Sequence, residues 1–236
     1  MSVDQQKQEV REKIWTLLEH EHAVPTGAPR RIPAFIGAAL AADRLAGLPQ
    51  WMAAHVIVTV PDTAQLPVRA HALDASKLVY MAVPRLAAAK PFYVLDPAVL
   101  TIPPTEAAKK EVAAEIASTV EVDDMPPVDM VVLGSVAVSR SGVRLGKGAG
   151  YSDIEIAILQ EYGLIKPETL IVTTVHPLQV VDGELPQDSH DFGVDLIVTP
   201  DEVIECTAPQ RPDGLIWESL PAHKIAEIPA LKARQP

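Results

Sequence analysis

The chain has 236 residues, 48% of them apolar and only 4% aromatic, and carries a formal net charge of −11. That length supports one substantial core without requiring a second domain, so a single domain over 1–236 is expected. The charge excludes general attraction to nucleic acid or to an anionic membrane, both of which need a positive field. No run of 18 apolar residues occurs, and residues 1–7 lack the apolar stretch of a secretory signal, which points to the cytoplasm. The core must be built from Ala, Val, Leu and Ile, as in an α/β protein. The single cysteine, Cys206, excludes an internal disulfide and reads as a buried structural thiol.

In chain order, Val10, Ile14, Leu17 and Leu18 recur at helical spacing and predict an amphipathic helix over Gln5 to Glu19, ended by Pro25. A loop rich in Pro, Gly and Arg covers Ala23 to Pro33. An Ala-rich helix follows over Phe35 to Leu45, stopped near Gly47-Leu48-Pro49. Short apolar runs at His55–Val60, Leu78–Val83, Met130–Leu133, Leu170–Val175 and Asp195–Thr199 read as strands covered on both faces. Helical patterns lie between them at Thr105–Thr119 and Ser152–Tyr162. The alternation predicts a three-layer α/β/α fold, Rossmann-like, with a mainly parallel sheet. The Pro-interrupted segment over 217–236 is expected to be partly mobile.

One segment carries chemistry. Arg144-Leu-Gly-Lys-Gly-Ala-Gly-Tyr-Ser-Asp153 places Gly146, Gly148 and Gly150 around Lys147, with Arg144 before them, and runs into a helix. Glycines let backbone N–H groups approach an anion, and the first turn of a helix adds free donors and partial positive charge. Arg144 and Lys147 would add full charges to phosphate oxygens. The segment is not a Walker A loop, since Lys147 lacks the following Ser/Thr, nor a dinucleotide fingerprint, since no acidic residue closes a following strand. A solvated turn at a hairpin tip is the bland alternative.

The segment Gly142–Asp153 resembles the nucleotide loop of the 5-formyltetrahydrofolate cyclo-ligases, also called methenyltetrahydrofolate synthetases. Lys7-Gln-Glu-Val-Arg11, Ala82-Val-Pro-Arg85 and His190-Asp191-Phe-Gly-Val-Asp195 resemble further pieces of that family in the same order. The resemblance implies the NagB/RpiA/CoA-transferase-like variety of the α/β fold. It also implies ATP and Mg²⁺ as cofactors and a cyclo-ligase reaction. In that reaction ATP phosphorylates the formyl oxygen of 5-formyltetrahydrofolate, N10 attacks the activated carbon, and 5,10-methenyltetrahydrofolate forms with ADP and phosphate. It assigns Lys7, Arg144 and Lys147 to catalysis. ATP would be held by Lys7, Arg11, Arg144, Gly146, Lys147, Gly148, Gly150, Tyr151 and Asp153, and the substrate by Met81, Arg85, Tyr151 and Gln65. Asp153 and Asp191 would ligate the metal, because magnesium prefers oxygen ligands.

Each residue also has a plainer role open to it. Lys7 and Arg11 share one helix edge and could pair with Glu9 or Glu12. Arg85 could make a surface ion pair. Asp153 could simply offset the helix dipole, worth about 0.3–1 kcal/mol. Asp191 could be a turn residue, and His190 and His176 hydrogen-bonded loop histidines. The chain also departs from the family: Ser152 replaces a second tyrosine, Gln65 occupies the stretch where the family places an acidic residue, and the insert around Arg30–Phe35 has no counterpart. Two further functions therefore stand beside the folate reaction. One is an ATP-dependent cyclisation of another small N-acyl compound, and the other is nucleotide or folate binding without turnover. A small-molecule substrate, no nucleic acid, no membrane, and a monomer or homodimer complete the expectation.

Overall fold

The computed structural model describes residues 1–25, 30–207 and 209–235; Thr26–Pro29 of the expected 23–33 loop, Ala208 and Pro236 lie outside them. In chain order the helices and strands are α1 (Val3–His20), α2 (Ala38–Ala46), α3 (Pro49–Ala53), β1 (Val56–Thr59), α4 (Leu66–Asp74), β2 (Leu78–Ala82) and β3 (Phe92–Leu95). Then come α5 (Pro104–Ala107), α6 (Lys110–Ile116), β4 (Ser118–Val120), β5 (Val128–Leu133), β6 (Ala137–Ser139), β7 (Arg144–Leu145) and α7 (Tyr151–Glu161). The chain closes with β8 (Ile165–Thr174), β9 (Val180–Val181), β10 (Leu196–Val198), β11 (Val203–Glu205), α8 (Ala222–Glu227) and α9 (Pro229–Lys232).

Eight strands form one sheet in the order β11-β10-β8-β5-β1-β2-β3-β4. Its centre, from β10 to β2, is parallel; β11, β3 and β4 pair antiparallel at the edges. The mainly parallel α/β architecture expected from the apolar runs is the one observed. Side chains alternate across the pleat, so each central strand feeds two cores. Val58, Tyr80, Val131 and Leu133 pack with α7, whereas Ile57, Val79, Met81, Met130 and Val132 pack with α2 and α4. A second sheet, β7-β6-β9, packs with α1 and the segment around Phe35 through Ile14, Leu18, Ile32 and Val136.

Local chemistry accounts for the boundaries. α1 opens on a capping box in which the Gln5 N–H donates to the Ser2 hydroxyl and the Ser2 N–H donates back to the Gln5 side chain. The expected helix over Thr105–Thr119 is instead α5, α6 and the short edge strand β4. Arg69 Nε donates to the Ala108 carbonyl at 2.8 Å, Lys109 turns extended, and the helical ladder is broken there. α4 escaped the periodicity because Arg69 lies on its buried side, 1% exposed. The edge strands β3, β4 and β11 and the small second sheet were likewise not anticipated, each being two to four residues long. Residues 217–235 fold into a turn, α8 and α9, and bury Ile228 and Leu231 in the same core as α7.

Arg69 also donates to the carbonyls of Val60 at 2.7 Å and Asp62 at 3.1 Å, so one guanidinium links the end of β1, α4 and α5. Burial lowers its pKa to about 10, still charged at neutral pH. Replacing it by Met keeps the apolar stem but leaves the Ala108 carbonyl unpaired and takes the charged donor from Val60 and Asp62, whose carbonyls keep only the Thr59 hydroxyl and the Gln65 N–H. Arg69→Met should therefore cost about 3 kcal/mol or more in urea unfolding, and a loss under about 1 kcal/mol would show the carbonyls find other partners.

Candidate functional site

The central parallel strands end at one edge of the sheet, where open α/β folds place their ligands. β1 leads there to Asp62, β2 to Arg85 and β5 to Gly134. After β5 the chain forms the β6–β7 hairpin, then bends through Gly146–Gly150 into α7. Gly148 (φ 91°) and Gly150 (φ 69°) take left-handed conformations that a side chain would strain, and Gly150 is the N-cap of α7. A Cβ at Gly148 would also stand 3.3 Å from the Arg11 guanidinium.

Four of the expected cations surround this bend, and three are held by carboxylates. Arg144, 4% exposed, grips both oxygens of Asp153 at 2.9 and 3.1 Å and donates to the Gly134 carbonyl at 3.0 Å. Lys147 reaches Asp62 at 3.1 Å from an exposed position. Lys7, 5% exposed, donates to Asp188 at 2.7 Å and to Asp191 at 2.5 Å. Burial opposes its charge, but the hydrogen bonds and charges of the two aspartates outweigh that and raise its pKa. Arg11 donates instead to a backbone oxygen, the Gly146 carbonyl, at 2.8 Å. Lys7 and Arg11 thus face the loop and the acidic turn rather than Glu9 or Glu12.

The substrate residues are less uniform. Arg85 stands exposed at the end of β2 with φ 62°, in a turn that packs on α7 and without an ion pair among the described residues. Tyr151 is the first residue of α7, partly buried. Gln65 is fully buried; its amide nitrogen donates to the Thr174 hydroxyl and carbonyl, and its oxygen has no partner. Met81 is not brought to this edge. The pleat turns it to the α2 and α4 side, 0% exposed.

For a metal, the donor set divides. Asp188, His190 and Asp191 offer atoms all within 4.8 Å of one another, and the two carboxylates suit a magnesium ion. All three acids are already engaged: Lys7 donates to Asp188 and Asp191, and Asp153, besides Arg144, accepts the Phe192 N–H at 3.1 Å, which ties it to the neighbour of Asp191. His176 accepts the Leu178 N–H as a turn cap, in keeping with a hydrogen-bonded loop histidine.

Three acids at the site were missed. Asp62 and Asp188 are paired only through tertiary contact and leave no local signal. Glu155 does leave one: it is the lone carboxylate in the run Ile154–Leu159, 3% exposed, and one of its oxygens has no partner. Two further buried polar atoms near Gly134, Gln65 Oε1 and Arg144 Nε, are also without a partner. Unpaired buried polar atoms are costly, and these are three of the six found among the described residues.

Comparison with known proteins gives the family and the fold. The profile of the 5-formyltetrahydrofolate cyclo-ligase family matches residues 3–200. The chain is 37% identical over 240 residues to a methenyltetrahydrofolate synthase domain-containing protein of Mus musculus, covering 96% of this chain and 62% of the mouse protein. The protein of the same description in Danio rerio is 36% identical over 242 residues, covering 96% and 60%. The chain thus spans about three fifths of the length of these relatives. The solved 5,10-methenyltetrahydrofolate synthetase of Aquifex aeolicus superposes with a TM-score of 0.55 at 22% identity, over 93% of this chain and all of that one, and shares the fold.

Glu155 supplies a test of the site's electrostatics. Burial, with added repulsion from Asp62, pushes its carboxyl up to about 8 from an ordinary 4.5. Between those values the folded protein keeps a proton that the unfolded chain has released. Stability present below about pH 4.5 is therefore lost as pH rises through 8. Glu155→Gln should raise the thermal midpoint over the wild type by a margin that widens from pH 5 to pH 8. A margin constant with pH would show that the carboxyl titrates normally.

Proposed function

Since the chain belongs to the 5-formyltetrahydrofolate cyclo-ligase family, we propose that it is an ATP- and Mg²⁺-dependent cyclo-ligase making 5,10-methenyltetrahydrofolate from 5-formyltetrahydrofolate. The observation that carries this is the glycine bend at the N-terminus of α7, ringed by Lys7, Arg11, Arg144 and Lys147 in a chain of net charge −11. A polyanion is the ligand such a local concentration of donors suits.

In this proposal the amides of Gly146, Gly148 and Gly150 and the Lys147 ammonium take the inner phosphates, and Lys7 and Arg11 take the terminal one. The terminal phosphoryl group passes to the formyl oxygen on N5. N10 then attacks that carbon and gives up its proton, and inorganic phosphate leaves with the former formyl oxygen. The protein's share is positioning and charge compensation, since phosphoryl transfer asks little covalent chemistry of it. Arg144, already engaged with Asp153 and Gly134, serves by holding the bend in shape. Asp188 and Asp191 would hold Mg²⁺, and Asp153 would act on that group through the Phe192 N–H. The metal, when bound, neutralises charge on the transferring phosphate. Tyr151 and Arg85 border the substrate side.

Gln65 favours a second reading within the same chemistry. An amide whose nitrogen is spent on Thr174 presents one neutral acceptor where the family places an acid, and Ser152 removes an aromatic wall. Both changes suit another small N-acyl substrate activated by the same ATP half.

Lys147 lies on an exposed loop, and its one ion pair, with Asp62, is a surface pair that contributes little to stability. Lys147→Ala should lower ATP-dependent turnover by about 100-fold with an unchanged unfolding curve. The assay follows methenyl absorbance and phosphate release from Mg-ATP and 5-formyltetrahydrofolate. Phosphate without methenyl product would identify a different substrate, bound ATP with neither signal a binding protein, and full turnover in the variant would remove Lys147 from the mechanism.

A further inference from the structure

The segment after residue 200 lies beyond the family match, yet it delivers a side chain to the glycine bend. Lys224 on α8 is 8% exposed. Its ammonium sits 3.0 Å from the centre of the Tyr151 ring and donates to the Ala149 carbonyl at 2.7 Å. The same segment grips the far end of α7, where Arg234 pairs with Glu161 at 2.7 Å and lies 4.4 Å from the Tyr162 ring. Between these two contacts Ile228 and Leu231 are completely buried in the core that α7 shares. The tail therefore runs as a strap along α7, fastened by a cation and an aromatic ring at each end.

The charge at the first fastening is of the wrong sign for its place. The N-terminus of a helix carries partial positive charge, so a buried ammonium there is repelled by the backbone as well as by the cations already around the bend. Lys7, Arg144 and Lys147 are each offset by aspartates; Lys224 has no carboxylate within ion-pair distance among the described residues and is met by a carbonyl and a ring face. A lysine that only had to fill space would be better replaced by an apolar residue. An anion seated in the bend would compensate this charge.

We propose that Lys224 is a positioning residue of the phosphate site. It clamps Tyr151 and residues 146–150 in the form that accepts the anion, and it contributes a positive charge that the phosphates neutralise. Binding of the phosphates and docking of the strap then reinforce each other, because linkage between two sites is reciprocal. This builds on the nucleotide site proposed above and adds a residue outside the family-matched region to it.

The test uses the full chain and Mg-ATP. Lys224→Met keeps the packing of the stem and removes the charge, and Lys224→Arg keeps charge, donor and ring contact. Calorimetric titration should show Lys224→Met binding Mg-ATP about tenfold more weakly than wild type and Lys224→Arg within about twofold, with the unliganded thermal midpoints alike. Should the Met variant be destabilised, the wild type alone decides: hydrogen exchange over residues 222–232 should slow with Mg-ATP and not with adenosine. Wild type that binds Mg-ATP while Lys224→Met binds equally well, or while exchange in the strap stays unchanged, overturns the inference and leaves the nucleotide site standing. Wild type that does not bind Mg-ATP removes that site instead.

Discussion

A buried guanidinium cannot be left unpaired, and the arrangement of this site follows from how Arg144 meets that constraint. At the start of β7 it is desolvated, and it finds Asp153 on the first turn of α7 and the carbonyl of Gly134 at the end of β5. The bend from 145 to 152 is thereby closed at both ends by one ion pair in which Arg144 meets both oxygens of Asp153. The glycines make the bend sterically attainable; the ion pair makes it a definite shape.

From that pair the connections run outward. Asp153 also accepts the Phe192 N–H, which brings the 188–191 turn beside α7, and the two aspartates of that turn bury Lys7 from α1. Elements separated by more than 180 residues in sequence are thus joined through alternating charges. Lys7, Arg144 and Lys147 each meet a carboxylate, which makes a cluster of positive groups tolerable at this edge of a strongly acidic protein. The exposed Lys147–Asp62 pair is the weakest of these links and the readiest to exchange partners.

The sheet was largely legible in the residues because its central strands are buried on both faces and therefore appear as unbroken apolar runs. The short edge strands were not, since two to four residues carry too little pattern to stand apart from a loop. α4 was hidden by Arg69, whose charge interrupts the apolar face yet is satisfied by three carbonyls contributed by other elements. Met81 shows the converse case. The family resemblance assigned it to the substrate, but the pleat parity that sends it to the opposite core depends on the pairing of β2 with β1.

What the amino-acid order determined by itself is what depends on near neighbours: the amphipathic first helix, the apolar strands, and a glycine bend carrying Arg144 and Lys147 into a helix. Which charges face one another was decided by the tertiary structure alone. Asp62, Asp188 and Lys224 are unremarkable in the chain and become part of the site only when the parallel sheet brings their loops to one edge and the C-terminal strap folds back along α7. Electrostatic partnership falls off over a few ångströms in space and has no counterpart in sequence spacing, so it could be seen only once the chain was folded.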